Sequence, residues 1–312
     1  MSDSHSEQKV RVHGLLFGLT VLTTWFAGTY FFGRSFLAAE GAPVPSLLDP
    51  RAIGLGFLYA LALMTILTGH ELGHYLTCRH YGILATYPFF IPGPPFLGTF
   101  GAFIRMKSPV RFKRQIFDVG ASGPLTGFAL AFPVLVIGLA FSKVAPFAAA
   151  PDSISFGEPL LFRLLSGLFF GRIPEGSALI LHPIGFAGWV GLLVTALNLV
   201  PIGQLDGGHI AYALLGRRAR IVSRIMVGFL AVMGVFFHLT WLILAAIILF
   251  FELKSKMRLS HPPVIDEDAP LGLKRTVLSI VILLIFILSF IPDPVKGASL
   301  FDLLKGMFGA RG

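Results

Sequence analysis

The feature that most constrains this chain is an apolar run, residues 53–76, that contains three ionisable side chains near its end. The run is long enough to cross a bilayer as one α-helix. His70, Glu71 and His74 lie in its last two turns. Because ionisable groups are costly at that depth, a membrane helix that keeps them usually uses them. The run therefore predicts a membrane helix that carries a functional site.

The spacing of these three residues is typical of metal chemistry. His70 and His74 are four residues apart, so on a helix they share one face and are close enough to bind one metal ion. Glu71 follows the first histidine and can act as general base on a water molecule at the metal, which is the arrangement of zinc metalloproteases. The motif predicts a metalloprotease active site within the membrane.

Composition places the chain among polytopic membrane proteins. Hydrophobic residues make up 55% of its 312 residues and charged residues only 13%, which is too little charge to cover a soluble domain of this length. The net charge of +9 comes from basic residues that cluster between apolar runs, so it indicates cytoplasmic loops and no nucleic-acid partner. The single cysteine, Cys78, excludes an intrachain disulfide.

The apolar runs predict an all-α polytopic membrane protein with about six or seven transmembrane helices. The run at 221–251 is too long for one untilted helix, so we expect two short helices with a bend near His238. The N-terminal run is too long for the apolar part of a cleavable signal peptide. The other predicted spans are 12–33, 53–76, 119–141, 178–200 and 277–291.

We expect residues 1–312 to form a single membrane-embedded domain, with its catalytic core at 53–209 and its C-terminal spans within 221–291. Basic residues are frequent in alternate loops, and by the positive-inside rule those loops face the cytoplasm, as does the N-terminus. The active site then lies toward the cytoplasm. A bacterial inner membrane is the first expectation and an organelle membrane the second.

The segment after the metal helix, residues 83–108, is apolar but too rich in proline and glycine to be a spanning helix. We interpret it as a re-entrant, hairpin-like segment that turns near Pro92 and Gly93 and includes a short strand within 96–106. Its exposed strand edge would hold an extended substrate; the alternative is an interfacial loop without a substrate role. A separate apolar stretch, 160–170, predicts an interfacial helix.

A catalytic zinc site needs a third protein ligand, and the polar cluster at 198–209 supplies candidates. Asp206 is the first choice, since its carboxylate lies on backbone made flexible by neighbouring glycines. The alternative is that Asp206 only caps a following helix, a role that Asp favours. His209 and Cys78 are weaker candidates. We expect His209 to pack or hydrogen-bond nearby, and Cys78 to be a buried, inert thiol.

The two motifs in this order, His-Glu-x-x-His in an apolar helix and then Asn198-x-x-Pro201 followed by Leu-Asp-Gly-Gly, resemble the site-2 protease family of intramembrane zinc proteases. The resemblance covers residues 53–209 and implies zinc ligands at His70, His74 and Asp206 and a catalytic glutamate at Glu71. It also implies that Asn198 lies near the substrate. Residues 120–127 resemble the family's third span, whose small residues allow close helix packing.

The resemblance implies a zinc endopeptidase that binds one Zn²⁺ per chain and hydrolyses peptide bonds within or next to transmembrane segments, in regulated intramembrane proteolysis. Its substrates would be transmembrane proteins or signal peptides in the lipid bilayer. No stretch predicts a PDZ domain or a CBS-like pair, so the chain is most similar to chloroplast and cyanobacterial members. Substrate choice is then expected from membrane elements, from accessory proteins or from a homo-oligomer.

Two other functions are compatible with the same residues. Intramembrane histidines and aspartates also line ion paths, so a metal-ion transporter is one alternative. A relative without catalytic activity that only binds membrane proteins is the other. The position of Glu71, where a general base is needed, favours the protease.

Overall fold

The computed structural model describes residues 2–39, 43–94, 96–146, 156–255 and 264–294, and it describes only the backbone at 2–9 and 251–255. The helices are α1 (Ser2–Ala27), continued by a π-helical turn (Gly28–Gly33), α2 (Arg34–Ala38), α3 (Pro50–His80), α4 (Lys113–Ala140), α5 (Leu160–Phe170), α6 (Pro183–Leu199), α7 (Asp206–Leu215), a 3₁₀ turn (Gly216–Arg218), α8 (Ala219–Phe236), α9 (Leu239–Ser255) and α10 (Leu273–Ser289). The strands are β1 (Phe89–Pro92), β2 (Thr99–Phe103), β3 (Lys143–Pro146) and β4 (Ser177–Ile180).

The described residues form a mostly helical membrane protein with a few short strands. Within the described part of the chain, four helical stretches are long and apolar enough to cross a membrane: Val10–Ala38, Pro50–His80, Lys113–Ala140 and Asp206–Phe236. The first three contain most of the predicted spans 12–33, 53–76 and 119–141. Helix α5 coincides with the apolar helix predicted at 160–170.

The span predicted at 178–200 is wrong at its beginning. Residues 177–180 form strand β4, which pairs antiparallel with β3, and helix α6 begins only at Pro183. Proline is favoured at the first position of a helix because its fixed φ suits the helix and its missing N–H has no partner there. The apolar residues before it therefore pair as a strand.

Two compact units account for these elements. The first contains the described residues of Met1–Pro109, Ser122–Ala148 and Phe162–Thr195, and the second those of Val110–Ala121, Ala149–Leu161 and Ala196–Gly312.

In the first unit, the π-helical turn that continues α1 lies close to α3 because glycines face each other across the contact. A Cβ at Gly56 would overlap the backbone of Thr29, and a Cβ at Gly28 would meet the carbonyl oxygen of Gly56 at 2.6 Å. The ring of Tyr59 packs beside Gly28, and its hydroxyl donates a hydrogen bond to the Leu97 carbonyl at 3.0 Å. Small residues thus let the metal-motif helix α3 lie directly against the N-terminal helix.

The segment after α3 contains a two-stranded hairpin. Strands β1 and β2 are antiparallel, with Phe90 opposite Ala102 and a register shift between Ile91 and Pro92. Its turn is held to α1 by Thr23, whose hydroxyl donates to the Gly98 carbonyl at 2.6 Å. With the bond from Tyr59, hydroxyls from two helices bind adjacent carbonyls of this turn, so the hairpin has a fixed position on the first unit.

The second unit confirms that residues 221–251 form two helices. Helix α8 ends at Phe236 and α9 begins at Leu239, with the Nδ1 atom of His238 accepting the Thr240 N–H at 3.2 Å. The helices pack closely, since Leu242 lies against Gly234. The buried core of this unit consists of Val200, Ile202, Val227, Leu230, Met233, Trp241 and Ala245.

The close packing of Gly56 predicts opposite effects on stability for alanine substitutions at two positions of α3. Gly56→Ala should lower the free energy of unfolding by about 1–3 kcal/mol, because the added methyl group overlaps the Thr29 backbone. Gly54→Ala, where a Cβ has no atom within 4 Å, should raise it by up to about 1 kcal/mol, because alanine is the better helix former. Denaturant titration in detergent micelles measures both. Equal effects at the two positions would contradict the packing described.

Candidate metal centre

His70 and His74 lie on one buried face of α3. Their side chains are almost inaccessible, with 3% and 7% of each residue exposed, and their Nε2 atoms are 3.2 Å apart. Glu71, between them in sequence, is buried as well. The helical spacing seen in the sequence thus brings the two ring nitrogens together and keeps the carboxylate out of bulk solvent.

Glycines of α4 make room for these rings. A Cβ at Gly123 would overlap the imidazole of His74, and a Cβ at Gly127 would lie 3.0 Å from Nδ1 of His70. From the other side, a Cβ at Gly73 would meet the Ser122 carbonyl oxygen at 2.6 Å. The small residues at 120–127 therefore give close helix packing, as predicted, and also shape the space around both imidazoles.

Asp206 lies at the start of α7, just after a break in the helical backbone. Helix α6 ends at Leu199, Gly203 has a left-handed φ of +54°, and Leu205 is the residue before the first turn of α7. Asp206 is thus the first residue of α7 and is not its N-cap, the position that the alternative interpretation requires. The two glycines that follow it are needed, because a Cβ on Gly207 would overlap the Leu199 carbonyl and a Cβ on Gly208 would overlap the Gly203 carbonyl.

His70, His74 and Asp206 each offer one ligand atom, and these three atoms all lie within 4.8 Å of one another. Among the described residues, no other set of three or more His, Cys, Asp or Glu residues has this property. Cys78 is fully buried and outside the set. Of the other residues singled out in the sequence, Asn198 is half-buried near the end of α6, and the Cβ of His209 packs against Gly120.

The donor set suits zinc. Two nitrogens bound to one zinc ion at about 2.0–2.1 Å, at the tetrahedral angle, are about 3.3 Å apart. The 3.2 Å separation of the two Nε2 atoms agrees with that value. Two imidazoles and one carboxylate are also the ligands of known catalytic zinc sites, which leave a fourth position open.

Comparisons with known proteins place this site in a family. The model of peptidase family M50 matches residues 58–241. "Probable zinc metalloprotease EGY2, chloroplastic" of Oryza sativa subsp. indica is 32% identical over 227 residues, which are 70% of this chain and 42% of that protein.

Two Arabidopsis thaliana proteins match over more of the chain. "Probable zinc metalloprotease EGY2, chloroplastic" is 29% identical over 88% of this chain and 50% of its own length. "Probable zinc metalloprotease EGY1, chloroplastic" is 31% identical over 75% of this chain and 42% of its own length. The chain thus matches half or less of the length of these relatives.

The family match covers both motifs and the segment between them, from within α3 to the first turn of α9. The chain therefore belongs to peptidase family M50, the site-2 protease family that its two motifs resemble.

Proposed function

We propose that this chain is an intramembrane zinc metalloprotease that hydrolyses peptide bonds within or next to transmembrane segments of membrane proteins or signal peptides. The observation that carries the proposal is the pair of buried imidazole Nε2 atoms, 3.2 Å apart, beside a buried carboxylate on a helix of membrane-spanning length. The names of the relatives, which describe probable zinc metalloproteases, support it.

His70, His74 and Asp206 would hold one zinc ion. When bound there, zinc supplies Lewis acidity, which lowers the pKa of water and polarises the scissile carbonyl. The close approach of the three ligand atoms supports this set. The whole chain would then act as one membrane-embedded protease domain.

Glu71 would be the general base and then the general acid. Its carboxylate removes a proton from the attacking water as the water oxygen bonds to the carbonyl carbon, and it then gives this proton to the leaving nitrogen as the C–N bond breaks. The products are a carboxylic acid and an amine, so the reaction consumes one water. Asn198, at the end of α6, would hold the substrate backbone or the developing oxyanion by hydrogen bonding.

The hairpin of β1 and β2 is proposed to be re-entrant, and the other helices to complete six or seven spans. A transmembrane substrate must unwind before cleavage, because its carbonyls are bonded within its own helix. The fixed position of the hairpin, held by Thr23 and Tyr59, would suit it to hold an unwound segment by strand addition.

The basic residues in alternate loops support an orientation with the N-terminus and the active site toward the cytoplasm. A bacterial inner membrane is the proposed location. The accessory proteins or homo-oligomer considered above would contribute to the choice of substrate.

The role of Glu71 as general base is tested by a conservative substitution. Glu71→Gln should lower cleavage of a labelled single-span protein in proteoliposomes by about 10²–10⁴-fold at unchanged zinc content, because the amide cannot accept the proton of water. Cleavage by the variant at the wild-type rate would show that Glu71 is not the base. A transporter would be identified instead if the wild-type protein did not cleave the substrate and if both the wild type and Glu71→Gln carried zinc into the liposomes.

The three proposed zinc ligands are tested by removing them one at a time. His70→Ala, His74→Ala and Asp206→Ala should each lower the zinc content of purified protein from about one ion per chain toward zero, because a catalytic site needs all three ligands. His80→Ala removes an exposed imidazole from the same helix and should leave zinc content unchanged. Atomic emission measures all four variants. Zinc content in Asp206→Ala equal to that of His80→Ala would exclude Asp206 as a ligand.

A further inference from the structure

A short acidic segment between α9 and α10 binds the beginning of α4. We call residues 264–269 the acidic segment. The Oδ1 atom of Asp266 accepts the backbone N–H of Lys113, the first residue of α4, at 2.7 Å, and the Ile265 N–H donates to the Arg111 carbonyl at 3.0 Å. A carboxylate at this end of a helix is favourable because it binds an N–H that has no intrahelical partner and faces the positive end of the dipole.

Further hydrogen bonds of charged side chains hold the first turns of α4. The ammonium group of Lys113 donates to the carbonyls of Glu267 and Ala269, at 3.0 and 3.2 Å. One helical turn further along α4, both carboxylate oxygens of Asp118 accept hydrogen bonds from Arg275 on α10, at 2.8 and 2.7 Å. The first turns of α4 are therefore fixed to the acidic segment and to the helix that follows it.

The acidic segment also contacts the far end of α7. The side chain of Glu267, of which 17% is exposed, accepts a hydrogen bond from the Tyr212 hydroxyl at 3.3 Å and pairs with Arg217 at 3.4 Å. Because the Arg217 side chain is 87% exposed, its ion pair contributes little. The contact with Tyr212, which is buried, is the more significant of the two.

The near end of α7 contacts the same part of α4. A Cβ at Gly120 would meet the Cβ of His209 at 2.8 Å and the Asp206 carbonyl oxygen at 3.1 Å. The first turn of α7 thus contacts α4 directly. The last turn of α7 contacts Glu267 of the acidic segment, which is itself bonded to Lys113 of α4. It is ten residues long and is held near both ends.

We infer that the acidic segment is a positioning element for the metal centre, with Asp266 and Glu267 as positioning residues that hold α7, and with it Asp206, against the first turns of α4. The inference rests on the proposed function, because it takes Asp206 to be a zinc ligand. Neither carboxylate touches zinc or substrate in this role. Their effect is to limit the movement of the helix that begins with the third ligand.

The test compares neighbouring carboxylates. Asp266→Ala/Glu267→Ala removes the carboxylates that accept from the Lys113 N–H and the Tyr212 hydroxyl, and leaves the backbone contacts in place. Asp268→Ala removes an exposed carboxylate of the same segment. In the double variant, zinc should dissociate into excess chelator about tenfold faster, because hydrogen bonds to charged groups are lost. In Asp268→Ala the rate should stay within about twofold of wild type. For cleavage of the single-span protein, kcat should fall while KM is unchanged.

Hydrogen exchange of the full chain in detergent tests the same inference without zinc chemistry. Amides of α7 should exchange faster in the double variant, while those of α3 should be unchanged. Lys113→Met, which removes the ammonium from the opposite side of the contact, should have the same effect. Unchanged exchange in α7, or faster exchange in α7 and α3 alike, would overturn the inference, since the first shows no positioning and the second only a general loss of stability.

The two proposals fail in distinguishable ways. If wild-type protein holds zinc and cleaves its substrate but the double variant behaves like Asp268→Ala, the positioning role is wrong and the protease remains. If wild-type protein neither holds zinc nor cleaves, the proposed function is wrong, and with it the role toward Asp206. Hydrogen exchange would still show whether the segment holds α7.

Discussion

Burying two imidazoles and a carboxylate on one face of a membrane-length helix requires space that ordinary side chains would fill. The structure provides it with glycine. Gly123 and Gly127 of α4 lie against the two histidine rings; a Cβ at Gly123 would overlap the His74 ring, and a Cβ at Gly127 would be in tight contact with the His70 ring. Gly73 lets the α4 backbone come close to the same turn of α3. The positions of both rings therefore depend on backbone contact between two helices, which is the closest and least adjustable kind of packing.

The sequence predicts local geometry well where its signals are local. The i, i+4 spacing of His70 and His74 determines a shared helix face whatever surrounds it, and the bend near His238 follows from an apolar run too long for one helix. Residues 178–180 belong to a predicted span but form part of strand β4, because apolar residues suit a strand as well as a helix. Their pairing with 143–146, more than thirty residues earlier, decides the outcome and leaves no local signal.

Long-range polar contacts were also beyond prediction. Asp266 caps a helix that begins 153 residues earlier, and the acidic residues around it have the composition of an ordinary solvated loop. The small residues at 120–127 indicated close packing, but not that imidazole rings would occupy the space. A pattern of small residues predicts that another part of the chain packs closely there, but it does not identify that part. The spacing of two histidines on a helix, in contrast, predicts the relative position of their own side chains.

The break between α6 and α7 determines the position of Asp206. It also leaves backbone groups without helical partners, and such groups are costly when they are buried unbonded. These groups are satisfied locally and by a neighbour. The N–H of Leu205 donates to the Ile202 carbonyl at 3.1 Å, and the hydroxyl of Ser223 on α8 donates to the Pro201 carbonyl at 3.1 Å. Val200 and Ile202 are buried in the core that contains α8 and α9. The irregular backbone between α6 and α7 is therefore stabilised by α8, which supplies both a hydrogen bond and an apolar contact. Packing against α8 thus allows the chain to break its helix just before Asp206 and to place that carboxylate at the start of α7.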